Sequence, residues 1–317
     1  MPARVDQNLD MTTTELTDGT PPPAREPLEI GVLRHILRNW PMDRGKGFIL
    51  DLSRSIWQVS GLLVEIEPDV LVRASFDDYV FRWAFVNGFY RQPEIRLSRR
   101  LIHAGDTVID AGANIGLWAM GAARRAGRDG AVHAFEPVPD NFEELRSNIE
   151  LNALAQVHAV QCGLSNRKGR ATLYAATNGN SGMASLAESA GVDRALDIEL
   201  TTLDDYCEAK KIVRVDFLKM DVEGAELAVL EGGRELLKKE PMILFEVSEQ
   251  TAQRFGRSTT EVKAYLSEMG FQLFRVSRRR LERVEVNELH EYNEDLLALT
   301  PAHLGSNDVL RRLIGGV

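Results

Sequence analysis

Cysteine is scarce in this chain: there are two among 317 residues, Cys162 and Cys207. They form no C-x-x-C pair, so neither a zinc site nor a thiol redox motif is expected. Two thiols build no disulfide framework, which suits a reducing compartment, and the chain reads as cytoplasmic. The first residues contain no apolar run of signal-peptide length. No later run approaches membrane-spanning length, so no membrane span is expected. Basic excess is missing as well: 38 Lys and Arg stand against 47 Asp and Glu, a net charge of −9. Broad nucleic-acid binding needs clustered cations, so no nucleic-acid partner is expected.

What is present is an ordinary globular composition, 44% hydrophobic and 27% charged, long enough for one large or two small domains. Residues 1–27 are rich in Thr, Pro and Asp and read as a disordered tail. Residues 28–100 read as a helical and β extension. Ile30, Leu33, Ile36 and Leu37 fall on one helical face. A second helix is expected from "FILDLSRSIWQVSGLL", short strands over 62–83 about a Pro68–Asp69 turn, and a further helix through Ile95, Leu97, Leu101 and Ile102. This extension is assigned to substrate or oligomer contacts, with a homo-oligomer formed through it. Trp57, Trp83, Phe85 and Tyr90 are expected as core or domain-contact rings.

Residues 101–300 alternate regularly. Strands are expected at 107–111, 131–136, 157–161, 214–220, 241–247 and 271–276. Helices are expected at 115–126, 138–151, 202–210, 224–238 and 259–269. Such alternation specifies an α/β fold with a mostly parallel sheet. A hairpin is expected near "RATLYAA", and "EDLLALT" with the strands before it suggests an antiparallel edge strand. Residues 301–317 read as a C-terminal tail or helix.

Ligands of open α/β sheets sit at the carboxyl ends of the strands. Here three of those ends are acidic, "AFEPV", "LKMDVEGAE" and "LFEVSE". Crowded carboxylates repel unless a cation sits among them. The first strand ends in "DAGANIG", Asp110 to Gly116. Gly112 is expected to let the chain turn and a ligand approach, and Gly116 to let the helix pack on the strand. The spacing departs from the G-x-G-x-x-G dinucleotide fingerprint. Asp110, just before the loop, would also repel a pyrophosphate. An acid there suits a positively charged, phosphate-free cofactor, and S-adenosylmethionine has both properties. Glu136, at the next strand end, is placed to accept hydrogen bonds from both ribose hydroxyls.

The segments "FYRQPEIRLSRRLIHAGDTVIDAGANIGLWAM", "AFEPVPDNFEELRSNIELN", "LTTLDDY", "DFLKMDVEGAELAVLEGG" and "ILFEVSEQT" strongly resemble the FkbM family of S-adenosylmethionine-dependent methyltransferases, over roughly residues 80–300. The resemblance implies a class I methyltransferase, Rossmann-like sheet and O-methylation, typically of a hydroxyl on a sugar or secondary metabolite, within natural product biosynthesis. The partner would be a small-molecule or glycan alcohol. Many relatives carry a His soon after the acid of the fifth strand. This chain has Val247 and Ser248, which argues against His-based proton transfer there.

On this footing Asp110, Gly112, Ala113, Asn114 and Gly116 form the cofactor cradle, and Glu136 binds the ribose. Asn141 and the turn from Cys162 and Gly163 to Ser165 flank the adenine. Asp221 lies beside the transferring methyl, Lys219 shares its face, and Glu246 faces the substrate. Asp221 or Glu246 would act as general base. A divalent cation such as Mg²⁺, bridging these carboxylates to a substrate diol, is the competing scheme. No metal ligand set is assigned. Glu223 and Glu226 are expected as dipole-favouring acids at a helix start, with Glu226 binding nothing. The alternatives kept are an NAD-dependent oxidoreductase on a related sheet, and a non-catalytic cofactor-binding scaffold.

Overall fold

A computed structural model describes residues 28–39, 60–67, 70–75, 85, 92–175, 184–185, 194–289 and 293–315. The expected tail over 1–27, the start of the second expected helix, and Trp57, Trp83 and Tyr90 lie outside the described residues.

The alternation of apolar runs produces one eight-stranded sheet. Its parallel members are β3 (Thr107–Ala111), β4 (Ala131–Phe135), β5 (Val157–Val160), β10 (Phe217–Met220) and β11 (Met242–Val247). Beyond β11 lie β12 (Gln272–Val276), β13 (Leu281–Val284) and β14 (Glu294–Leu299). The order is β13-β12-β14-β11-β10-β3-β4-β5. The edge strand β13 is antiparallel to β12, as the sequence suggests. The last strand β14 is also inserted between β11 and β12, antiparallel to both. Returning last into the sheet interior, it brings Asp295 opposite Glu246.

Helices α3 (Leu117–Ala126) and α4 (Pro139–Leu151) cover one face together with α2 (Pro93–Leu101). The opposite face packs on α5 (Leu203–Lys210), α6 (Glu226–Glu231), α7 (Arg234–Leu237) and α9 (Thr259–Glu268). Strand residues divide by parity: Phe217, Leu244 and Leu297 enter the first core, Leu218, Phe245 and Leu296 the second. The single helix expected over 224–238 is instead two. It breaks at Gly232–Gly233, where a Cβ on Gly232 would stand 2.1 Å from the Ser165 carbonyl oxygen. A short helix, α8 (Glu249–Arg254), follows β11 where none is expected, capped by the Ser248 side chain.

The N-terminal extension contributes α1 (Leu28–Asn39) and the hairpin β1 (Ser60–Glu67) and β2 (Val70–Ser75). The strand expected from residue 62 begins earlier, at Ser60, within the segment also expected as a second helix, because "SGLLVEIE" pairs with "VLVRAS" across the turn. Val64, Val70, Val72 and Phe85 join the core of α3. Asn152 binds β2 as a neighbouring strand would, accepting from Leu71 N at 2.8 Å and donating to Leu71 O at 2.6 Å. On α1, Leu37 is buried, but Ile36, expected on the same face, is 45% exposed beside Val32 at 50%.

The interruption after β5 holds β6 (Gly163–Leu164), β7 (Gly169–Ala175), β8 (Ala184–Ser185) and β9 (Arg194–Thr201), a separate four-stranded sheet. The expected hairpin is its β7–β9 pair. The chain closes with α10 (Pro301–Ser306) and α11 (Asp308–Gly315). Among the described residues no helix is long and apolar enough to cross a membrane.

Candidate active site

The loop after β3 is wound by three left-handed residues, Gly112 (φ 78°), Asn114 (φ 51°) and Gly116 (φ 89°). Gly112 turns the chain as expected, while the groups packed against the two glycines are not the expected ones. A Cβ on Gly112 would stand 1.9 Å from the Asp221 carbonyl oxygen, so the close neighbour is the end of β10. A Cβ on Gly116 would meet Leu145 Cδ1 of α4 at 2.5 Å, so it is a helix that packs there, not the strand.

The loop's amides are spent within the fold. Gly112 N and Ala113 N donate to Phe135 O, and Gly116 N donates to Ala113 O. Ile115 N donates to Asn114 Oδ1 at 2.7 Å. Asn114 N donates to Glu136 Oε2 at 2.8 Å. A pyrophosphate site at such a turn relies on free N–H groups; here five successive ones already have acceptors, one of them an acid.

Glu136 is therefore a fastener of the loop as well as a rim acid. Its Oε1 accepts from Val138 N at 2.9 Å and Asn141 Nδ2 at 3.4 Å. A carboxylate has about four acceptor positions. Among the described residues three are taken. Burial pushes the Glu136 carboxyl up to about 7. Asn141 is buried and orients Glu136 directly. Cys162 donates its thiol to the Gly163 and Glu199 carbonyls, and burial pushes it up to about 11. Gly163 is buried where a Cβ would meet Leu200 Cδ2 at 2.7 Å. Both cysteines are free thiols.

Asp110 and Lys219 are register partners on β3 and β10, so both side chains stand on the α2/α3 face. Asp110 is fully buried. The Lys219 ammonium lies 3.2 Å from its Oδ1, but neither carboxylate oxygen accepts a hydrogen bond of good angle. Burial pushes Asp110 up to about 6 against the pull of Lys219. Lys219 also donates to Gly112 O at 3.3 Å and lies 3.5 Å from Asp221 Oδ2. Burial opposes its charge, yet Asp110 and Asp221 hold its pKa above the ordinary lysine value. Asp221 is 46% exposed at the rim.

Further carboxylates gather round this row. Glu246 is pushed up to about 8 by burial, then by Asp221 and Asp295. Glu223 reaches about 8 and Glu226 about 7, burial again leading. Glu226 also accepts from Gly224 N at 3.1 Å, so it holds the turn rather than merely favouring a dipole. Two members escape sequence reasoning. Glu94, in the first turn of α2, is pushed up to about 7 by burial, with Glu246 and Asp221 adding to the rise. Asp295 is pushed well above its usual range by burial, then by Glu94 and Asp221. The only signal for Asp295 was its place in "EDLLALT", and nothing local pointed to Glu94. Among the described residues no group of three or more His, Cys, Asp or Glu is arranged to hold a metal ion.

These raised carboxyls predict a pH dependence of stability. Each has a folded pKa above its unfolded value, so the native state binds extra protons and stability falls as pH rises through about 6 to 8. His133, buried and pushed down to about 4, acts oppositely only below its unfolded pKa near 6.5. The thermal midpoint should fall by on the order of 5 °C between pH 6 and pH 8.5. Melting curves across that range that were flat or rising would contradict this assignment.

The sheet is an open, mostly parallel α/β sheet with an antiparallel strand inserted beside the last parallel pair and acids at its strand ends. Residues 110–273 match the Methyltransferase FkbM domain, and the chain belongs to that family. It is 37% identical over 154 residues to Methyltransferase sdnD of Sordaria araneosa, covering 39% of this chain and 59% of that one. It is 28% identical over 156 residues to hexuronic acid methyltransferase AglP of Haloferax volcanii, covering 49% and 62%. It is 27% identical over 189 residues to 31-O-demethyl-FK506 methyltransferase FkbM of Streptomyces tacrolimicus, covering 51% and 70%. The chain thus spans about six-tenths of the length of the first two of these relatives.

Proposed function

We propose that this chain is an S-adenosylmethionine-dependent O-methyltransferase acting on a hydroxyl of a sugar or secondary metabolite. The observation that carries the reading is the loop after β3. Its amides are consumed internally, and a buried Asp110 with unused acceptor capacity stands beside it. Such a site fits a cationic, phosphate-free donor and offers a dinucleotide diphosphate nothing. The family membership and relatives bearing a hexuronic acid and 31-O-demethyl-FK506 in their names agree with it.

When bound, S-adenosylmethionine supplies a methyl group activated by a sulfonium. The chain's own residues do the rest. Asp110, Asn114 and the Gly112 turn would hold the methionine end, with Ala113 and Gly116 completing the cradle. Glu136 would bind the ribose, and Asn141 would keep Glu136 oriented. The Cys162–Ser165 turn would flank the base. Lys219 holds Asp110 and Asp221 in place at the rim. Asp221 or Glu246 would receive the hydroxyl proton, and Glu246, with its raised pKa, is the better matched to neutral pH. Orientation at contact distance is worth on the order of 7–11 kcal/mol in the best intramolecular cases.

Calorimetry with S-adenosylmethionine tests the donor site. Wild type should bind, and the Asp110→Ala, Glu136→Ala double variant should lose at least about 100-fold in affinity, the scale expected when two charge-assisted hydrogen-bonding groups go. Unaltered binding by the double variant would defeat the assignment. A fluorescence titration with NADH should show no saturation. A screen of sugar and natural-product alcohols, read by a one-methyl mass gain with Mg²⁺ or EDTA, identifies the acceptor. Loss of turnover in EDTA would replace the carboxylate-base scheme by the metal-bridged one.

A further inference from the structure

Four adjacent strands each present a polar residue to the same face, at two successive levels: Lys219 and Asp110 stand level with Leu244, and Glu246 and Asp295 one same-face step beyond it. In sheet order these are Asp295 on β14, Glu246 on β11, Lys219 on β10 and Asp110 on β3. Glu246 and Asp295 are directly opposed in register, and directly opposed residues of an antiparallel pair share one face at close range. Inward of them on that face, Leu244 and Leu297 are core.

The helix that closes this face is α2. Its Ile95, Leu97 and Leu101 are buried, and Trp118 Nε1 donates to Ser98 Oγ at 3.2 Å, tying α2 to α3. Glu94 lies in the first turn of this docked helix, one residue before the buried Ile95, and Glu246 and Asp221 add to the rise of its carboxyl. Both Glu94 and Asp295 lie outside the segment 110–273 that matches the family. On β3 the fully buried Asp110 has the Lys219 ammonium 3.2 Å from its Oδ1, and the same ammonium lies 3.5 Å from Asp221 Oδ2.

We propose that Asp295 is a positioning residue for Glu246: the two carboxylates face each other across β14 and β11, with Glu94 of α2 as a further acid on that side, and make Glu246 the group that receives the acceptor hydroxyl's proton. This rests on the O-methyltransferase reading above. Two carboxylates directly opposed on one face resist ionising together, because each raises the other's proton affinity. The groups facing Glu246 are Asp221 at the end of β10, Glu223 in the turn after it, Glu226 on α6, Asp295 on β14 and Glu94 on α2. Asn293, which bonds to it, is the neutral one. Lys219, the lysine of the row, is committed to Asp110 and Asp221. In the reaction the acceptor's O–H bond breaks and its proton passes to Glu246. The electron pair left on oxygen forms the bond to the methyl carbon, and the pair of the broken sulfur–methyl bond stays on sulfur. The proton then leaves Glu246 for solvent.

The test has two readouts on the full chain. The first needs no acceptor: calorimetry of S-adenosylmethionine binding at pH 7.5, in two buffers of different ionisation heat, counts protons released when a cation reaches the carboxylates. Wild type should release protons, and Asp295→Asn should release no more than half as many. The second is the pH–rate profile with an alcohol from the screen. The rate should rise with pH along a limb near 8. That limb should move down by about one unit in Asp295→Asn, since removing a like charge lowers the Glu246 pKa, and return in Asp295→Glu. Glu246→Gln should lose the limb altogether. A proton count unchanged in Asp295→Asn, or a rate that falls with the limb unmoved, would overturn the proposal. Methyl product on nitrogen or sulfur would defeat the O-transfer reading separately, since the proton count does not depend on the acceptor.

Discussion

Replacing Lys219 by Met is expected to destabilise the protein by about 3–5 kcal/mol at pH 8, the usual cost of stripping one partner from a buried ion pair. Asp110 is fully buried and Lys219 is 14% exposed, so water cannot replace the lost ammonium. The cost should depend on pH in a definite direction. Burial already pushes Asp110 up to about 6 while Lys219 pulls it down. Without the lysine the carboxyl rises further, so at pH 5.5 it is protonated and its burial costs far less. Urea unfolding of wild type and Lys219→Met at both pH values checks this. The loss should be several-fold smaller at pH 5.5, and equal losses would refute the buried pair as the cause. The Lys219→Met, Asp110→Asn double variant should recover much of the stability at pH 8, because no unpaired charge remains.

Gly112→Ala is expected to abolish donor binding at ordinary concentrations. A methyl group there would stand 1.9 Å from the Asp221 carbonyl oxygen, and that oxygen belongs to backbone, which cannot rotate away. The positive φ of 78° adds a penalty of about 1–2 kcal/mol for any L side chain. To relieve the overlap, the loop and the end of β10 must part by more than about 1 Å, the scale of misplacement that costs about 100-fold in a positioned site. Asp110 and Asp221 then lose their common lysine. Gly116→Ala is the control. Its Cβ would meet Leu145 Cδ1, the far end of a flexible side chain, so the damage there should be confined to strain and repacking. Thermal melting and calorimetry should rank the variants with Gly112→Ala far below Gly116→Ala. Donor binding by Gly112→Ala at wild-type strength would sink the account of the turn.

The site was legible in proportion to how local its signals are. "DAGANIG" announces a strand, a tight turn and a helix within one stretch, and the structure places all three there. The acids at the ends of β4 and β11 and just beyond β10 could be counted by aligning one strand end with the next. Glu94 and Asp295 could not. Glu94 sits in a helix whose docking depends on Ile95, Leu97 and Ser98 meeting the sheet and Trp118, and amphipathic spacing says nothing of which strand end the helix overhangs. Asp295 reaches the rim because the final strand enters between β11 and β12 instead of adding at the edge. Short apolar runs signal that a strand exists but not its neighbours. The break at Gly232–Gly233 was equally hidden, because its cause is the distant Ser165 carbonyl.

The sequence by itself determined the alternation of strands and helices, the strand-ending acids and the left-handed turn at Gly112. These follow from side-chain period, charge and backbone freedom, which act between near neighbours in the chain. Only the tertiary structure decided that the loop's amides are spent on Phe135 and Glu136 and that Lys219 is shared by Asp110 and Asp221. It alone set Asp295 opposite Glu246. Hydrogen-bond saturation and carboxylate proton affinity depend on which groups meet across the sheet, and that is set by strand order, a property no local pattern encodes.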